Sequence, residues 1–181
     1  MNHTNEIVGS HVTEGEWPDE PSACDALDEI LARTQLFSVH KECTGRYLFR
    51  LAGDSEPRID RILVPTAMLL SLGWNLGIVG IECKASGVKL GPVVSQGLDY
   101  SRAVFPVCGT EVLLRWIFIW PLNKYFNDLA SIMTQNRIGG AWTSKYALFD
   151  LRVDALHLLK YSHDGNVELR APVSGQKVGS R

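Results

Sequence analysis

Three short stretches concentrate the side chains able to do chemistry: RIDRILV at residues 58–64, GIECKASG at 80–87 and SQGLDYSR at 95–102. Asp60 stands between Ile59 and Arg61 in an alternating segment, so it reads as a carboxylate projecting alone from a hydrophobic strand. Glu82 follows the apolar run Ile78-Val79-Gly80-Ile81 and precedes Lys84 by two residues. On an extended chain the side-chain period of two puts Glu82 and Lys84 on one face and Cys83 on the other. Charges at the end of a buried strand cost free energy unless they are paired or hold a metal. If Asp60 and Glu82 lie on neighbouring strands, their oxygens converge, and two carboxylates with waters and a phosphate oxygen are what Mg²⁺ prefers. Lys84 beside such an ion can orient or help deprotonate a water and stabilise charge on a phosphate. Gln96 and Tyr100, spaced i, i+4, share one helix face, where an amide and a phenol can position a nucleic-acid backbone. The plainer alternative is a structural ion pair of Lys84 with Asp60 or Glu82.

The elements that must hold these groups follow from periodicity. Residues 1–22 mix acids with Gly, Ser, Pro and His, lack apolar periodicity, and read as a flexible acidic leader. Ser22 is the expected N-cap of a helix over 23–34, with Ala26, Leu27, Ile30 and Leu31 as its apolar stripe. Residues 36–49 read as strand with a bend or bulge at Thr44-Gly45, and 52–57 as a turn cluster. Strand 58–64 stops at Pro65, a short apolar turn or helix spans 66–72, and 78–85 reads as a central buried strand. A turn at 87–92 precedes an amphipathic helix over 93–105 and an apolar strand over 113–120. Asn127 or Asp128 caps a helix through 135, strands follow at 146–151 and 153–161, and 166–181 reads as a loose tail. The expected class is mixed α/β with a central mixed sheet, in one domain over 23–165 with a C-terminal αβ extension.

Composition bounds the rest. A chain of 181 residues, 45% hydrophobic and 21% charged, suits one globular domain and excludes collagen-like, coiled-coil or wholly disordered organisation. Its longest apolar run, residues 112–122, is interrupted by Arg115 and is shorter than the roughly 20 residues a membrane helix needs. The first 30 residues show no basic segment followed by an apolar one, so a cytoplasmic protein with no membrane partner is expected. The first 32 residues carry eight acids and no Lys or Arg, so within a net charge of −2 the remainder contributes +6. An acidic leader on a mildly basic body is compatible with a polyanionic partner. Arg58, Arg61, Lys89 and Arg102 flank the three stretches and are the candidate phosphate contacts. The four cysteines form no CxxC pair and read as free thiols acting as small hydrophobes. Trp116 and Trp120 are expected in the core, while Trp74, between turn glycines, is the expected exposed tryptophan.

An Asp followed 22 residues later by Glu-x-Lys at a strand end resembles the PD-(D/E)XK nuclease superfamily, with Ile59-Asp60 in place of Pro-Asp. The spacing Gln96 to Tyr100 resembles the additional Gln-x-x-x-Tyr motif of its RecB-like and lambda-exonuclease-like branch. The resemblance covers roughly residues 23–120. It implies a restriction-endonuclease-like core of helix, three-stranded meander, helix and strand, and hydrolysis of DNA phosphodiesters with Mg²⁺ or Mn²⁺. Residue by residue it assigns Asp60 and Glu82 as metal ligands, Lys84 as the catalytic lysine, and Gln96 and Tyr100 as the accessory pair. The acid from the first helix is ambiguous among Asp25, Asp28 and Glu29, with Glu42 on the first strand as a rival; Glu29 is preferred. DNA is the implied partner, with a homo-oligomer or a larger DNA-processing complex beyond it. The alternative is a nuclease fold kept for DNA or protein binding, in which cleavage is absent or partner-dependent.

Overall fold

The computed structural model describes residues 16–49, 55–122, 129–154 and 156–170. The leader up to residue 15, part of the 52–57 turn, the Asn127 and Asp128 caps and the tail from 171 lie outside the described residues. Helix α1 (Glu20–Thr34) starts earlier than expected, because Asp19 rather than Ser22 caps it: its extended backbone lets Oδ1 accept from the Ser22 amide at 2.8 Å. Pro21 occupies the first turn, where a missing N–H leaves no bond unmade. The leader boundary drawn at residue 22 therefore moves back. The Trp17 amide donates to Ser86 Oγ at 2.8 Å, and its ring packs 5.2 Å from that of Trp120, so this segment belongs to the folded body.

The strands that follow divide between two sheets. The single strand expected over 36–49 is β1 (Phe37–Thr44) and the short β2 (Arg46–Tyr47), and the bend at Thr44-Gly45 is where the chain changes sheet. Next come β3 (Arg58–Pro65), α2 (Ala67–Ser71), β4 (Val79–Cys83) and α3 (Leu90–Tyr100). The helix expected to run to 105 ends at Tyr100, and its last residues instead form β5 (Ala103–Val107), hairpinned to β6 (Thr110–Leu113). Then follow β7 (Ile117–Trp120), α4 (Ala130–Gln135), β8 (Ile138–Ser144), β9 (Ala147–Val153), β10 (Leu156–Tyr161) and β11 (Val167–Leu169). Strand β8 was not expected from sequence, and β11 claims part of the expected loose tail.

The chain is mixed α/β. Its large sheet has the order β1-β3-β4-β7-β8-β9-β10-β11, parallel only where β7 pairs β4 and β8, and the small sheet has the order β2-β5-β6. Against one side of the large sheet, α1 buries Leu27, Ile30 and Leu31 on Leu63, Ile81, Phe118 and Trp120. A second cluster joins Ile59, Ile62 and Ile117 to Tyr100 and Phe105, and a third packs Val93 and Val94 of α3 on Ile119, Met133 and Ile138. Trp120 is fully buried and donates through Nε1 to the Ala23 carbonyl, tying β7 to α1. Trp74 is also buried, contrary to expectation: it is 6% exposed, stacked edge-on against Phe37, with Nε1 donating to Gly77 O. His157 lies half-buried against Asp150, 2.8 Å from its carboxylate. Among the described residues no helix is long and apolar enough to cross a membrane.

Candidate functional site

Strands β3 and β4 are antiparallel neighbours, with Arg61 opposite Ile81 and Ile62 opposite Gly80. The ladder goes no further toward Asp60 and Glu82. There the Asp60 side chain takes over: Oδ2 accepts from the Cys83 amide at 2.7 Å, a bond that would otherwise come from backbone. Asp60 is 6% exposed and Glu82 3% exposed, so both carboxylates are held in a largely water-free setting. On the other side of β4 the ladder to β7 is parallel and continues past Glu82 and Cys83 to the Lys84 amide, which donates to Trp120 O at 2.7 Å. Asp60, near the start of β3, and Glu82, near the end of β4, thus lie on adjacent core strands.

The ion pair of Lys84 with Glu82, given above as the plainer alternative, is present. Lys84 Nζ donates to Glu82 Oε1 at 2.6 Å and reaches Glu20 Oε2, at the start of α1, at 3.3 Å. Glu82 Oε2 is buried with no hydrogen-bond partner. An unsatisfied buried charged oxygen costs roughly 1–3 kcal/mol or more, so it marks a place where a further ligand would be gained. Burial first, and then the charge of Asp60, push the Glu82 carboxyl up to about 7, against the opposing pull of Lys84 and a smaller one from the Tyr100 hydroxyl. Asp60 is also raised, chiefly by burial and further by Glu20, while the Cys83 amide works the other way. For Lys84, burial favours the neutral amine, but the bonds to Glu82 and Glu20 outweigh it and keep the ammonium above its ordinary value.

Gln96 and Tyr100 meet as their spacing on α3 predicts. Gln96 Nε2 donates to Tyr100 Oη at 2.6 Å, and that hydroxyl donates to the Arg58 carbonyl at 2.6 Å. The chain of bonds pins α3 to the start of β3. Tyr100 is 2% exposed, and burial followed by the charge of Glu82 raises its phenol, which keeps it a neutral donor.

The acids of α1 are distributed differently from expectation. Asp28 accepts both Arg61 Nε at 2.7 Å and Lys41 Nζ at 2.6 Å, and Glu42 pairs with Arg58 at 3.4 Å. Glu29 makes no ion pair among the described residues; at 1.5 Å per residue it lies about 13 Å along the helix from Glu20. The α1 carboxylate that reaches Lys84 is Glu20, which sequence reasoning left in the leader. The Asp-Glu-Pro start of a helix at residues 19–21 was the signal available for it.

The four basic candidates separate into two kinds. The Arg61 side chain is 5% exposed and committed to Asp28, with Glu42 at 3.5 Å, so it cannot serve as a phosphate contact; the Arg58 side chain is 64% exposed. Lys89 immediately precedes α3 and Arg102 follows its end, both exposed and both without an ion pair among the described residues.

A second set of groups was read from sequence only as small hydrophobes. Cys24 of α1 and Cys83 of β4 meet beside Asp60, with sulfurs and carboxylate oxygen all within 4.8 Å of one another. The neighbouring Cys24 thiol, then burial, push the Cys83 thiol far above its ordinary range.

Chemically, Glu82 and Glu20 place two carboxylates on the Lys84 ammonium, with Asp60 near enough for its charge to raise Glu82. Such an arrangement favours either proton uptake or a cation, and Asp60 and Glu82 offer the oxygen donors that a hard divalent ion takes. No family model matches the chain, and no match was found among curated proteins or solved structures.

Proposed function

We propose that this chain is a divalent-metal-dependent deoxyribonuclease of the PD-(D/E)XK type, hydrolysing DNA phosphodiester bonds. The observation that carries the reading is the buried, unpartnered Glu82 Oε2 beside Asp60, in a site whose carboxylates outnumber its cations. The order α1, β1, β3, β4, α3, β7, with β4 and β7 parallel, supports assigning a restriction-endonuclease-like core.

Asp60 and Glu82 would hold Mg²⁺ or Mn²⁺, with Glu20 rather than Glu29 as the α1 acid nearest to them. When bound, such an ion polarises a phosphoryl oxygen and lowers the pKa of a coordinated water. Lys84, kept cationic by Glu82 and Glu20, has the protons to stabilise negative charge growing on phosphorus; an ammonium so held is a poor base. Tyr100 and Gln96 hold the wall of the site by fixing α3 to β3, and Tyr100 presents a neutral phenol next to Glu82. Lys89 and Arg102, exposed at opposite ends of α3, and exposed Arg58 would supply the contacts to backbone phosphates.

The test is cleavage of linear, circular and branched DNA with Mg²⁺, with Mn²⁺ and with chelator. Asp60→Asn and Lys84→Ala should each lower the cleavage rate by at least about 10²-fold, the scale of removing one group that stabilises transition-state charge. Undiminished cutting by Asp60→Asn overturns the assignment. Metal-independent DNA binding without cutting selects instead the binding-module reading.

A further inference from the structure

Cys24, Cys83 and Asp60 form a compact group that the proposed hydrolysis does not use in full. Cys24 is 7% exposed, Cys83 fully buried and Asp60 6% exposed, and their two sulfurs and one oxygen lie within 4.8 Å of one another. Buried cysteines alone are unremarkable, since a thiol packs as a small hydrophobe. A carboxylate beside two of them is different: its Oδ2 accepts from the Cys83 amide at 2.7 Å, and the three groups together carry the donor types of a metal site. Thiolate donors select soft or borderline ions over Mg²⁺. In a tetrahedral zinc site, bonds of about 2.3 Å to sulfur and about 2.0–2.2 Å to oxygen put ligand atoms roughly 3.5 Å apart. The three atoms need to close by at most about 1.3 Å to reach that spacing, and a water can take the fourth position as in other three-ligand zinc sites.

We infer that Cys24, Cys83 and Asp60 form a binding site for a thiophilic divalent cation of the zinc and cadmium class, and that filling it withdraws Asp60 from Glu82. The first half stands on the geometry of the three ligands alone. The second rests on the proposed function, because it makes Asp60 the shared ligand of a soft site and a hard one. The two ions then exclude each other, and a zinc-class ion becomes an inhibitor that acts by taking a carboxylate rather than by blocking DNA.

Cadmium is the probe, since its thiolate complexes have an ultraviolet charge-transfer band. The full chain, reduced and freed of metal, is titrated with Cd²⁺, and the same samples are followed by Mn²⁺ electron paramagnetic resonance. The rival thiol site is at the surface, where exposed Cys108 lies 3.7 Å from His40 Nε2, so the comparison pairs Cys24→Ser with Cys108→Ser. The expected result is a band saturating at one equivalent that Cys24→Ser abolishes and Cys108→Ser leaves intact, with bound Mn²⁺ released as the band grows. Far-ultraviolet circular dichroism checks that Cys24→Ser is folded; if it is not, Asp60→Asn must weaken the band instead. No band, or one lost only in Cys108→Ser, overturns the site. A band at Cys24 with Mn²⁺ undisplaced overturns the shared ligand, whereas a band with no Mn²⁺ binding at all keeps the thiol site and removes the hydrolytic reading.

Discussion

Glu82 sets the electrostatics of the site, and its protonation has a consequence for stability with a definite sign. Its carboxyl ordinarily titrates near 4.5 and in the folded chain is pushed up to about 7, first by burial and then by Asp60. Between those values the native state holds a proton that the unfolded chain has released. The unfolded state therefore binds fewer protons, and stability falls as pH rises through 7, by on the order of 3 kcal/mol in total from this group. Asp60, raised for the same first reason, acts in the same direction. In metal-free buffer the melting temperature should drop between pH 5 and pH 8, and Glu82→Gln, which has nothing to titrate, should flatten that drop. Millimolar Mg²⁺ should flatten it in the unmodified chain as well, because a cation then replaces the proton. Melting temperatures that rise over this range, or a Glu82→Gln curve parallel to the unmodified one, contradict the assignment of Glu82 as the strained carboxylate.

The strand ends that carry Asp60, Glu82 and Lys84 were legible because each depends on local alternation, and the Gln96–Tyr100 contact because it depends on helical spacing alone. Elements fixed by distant packing were not. Strand β8 begins Ile138-Gly139-Gly140, and paired glycines erase the apolar alternation that marks a strand. The reason for glycine there is close approach: a Cβ at 139 would lie 2.5 Å from the Arg152 carbonyl and 2.6 Å from the Phe118 ring. The sequence overextends helix α3 because residues 103–105 continue an apolar pattern, although Pro106 disfavours helical backbone in the residue before it. Glu20 was missed because an acidic, proline-containing opening resembles a solvated leader, and the Cys24–Cys83 meeting because it joins residues 59 apart in sequence. Gly139→Ala should therefore cost about 3 kcal/mol, since a backbone carbonyl in a paired strand cannot move aside as a side chain can. Gly91→Ala, in the first turn of α3, meets nothing beyond its chain neighbours; the gain of about 0.4–1 kcal/mol from a stiffer unfolded chain is opposed by Pro92, which disfavours helical backbone before it, so the net change should stay below about 1 kcal/mol. Urea unfolding of the two variants measures both, and equal effects would refute the packing argument.

The formal charge of −2 conceals an acidic opening segment and a body carrying +6, and whether that body holds DNA depends on which of its cations are free. Arg61 is not free: its guanidinium is buried on Asp28, and burial is outweighed by that bond so that it stays cationic throughout. Removing it deprives a partly buried carboxylate of a partner that bonds both oxygens, while Lys41 still holds Oδ2, which places the cost near the low end for a broken buried pair, about 3 kcal/mol. Lys89 and Arg102 bracket α3 in solvent, where a phosphate contact would release condensed counterions. The two classes predict opposite outcomes. Arg102→Ala and Lys89→Ala should each reduce the slope of log affinity against log salt by about 1, with the unfolding midpoint nearly unchanged. Arg61→Ala should leave that slope intact and lower the midpoint. Binding isotherms across a salt series, read beside denaturant melts of the same three variants, separate a cation that meets the phosphates from one that builds the domain. A slope change confined to Arg61→Ala would mean that DNA meets Arg61 rather than the two ends of α3, and the assignment of Lys89 and Arg102 as phosphate contacts would fall.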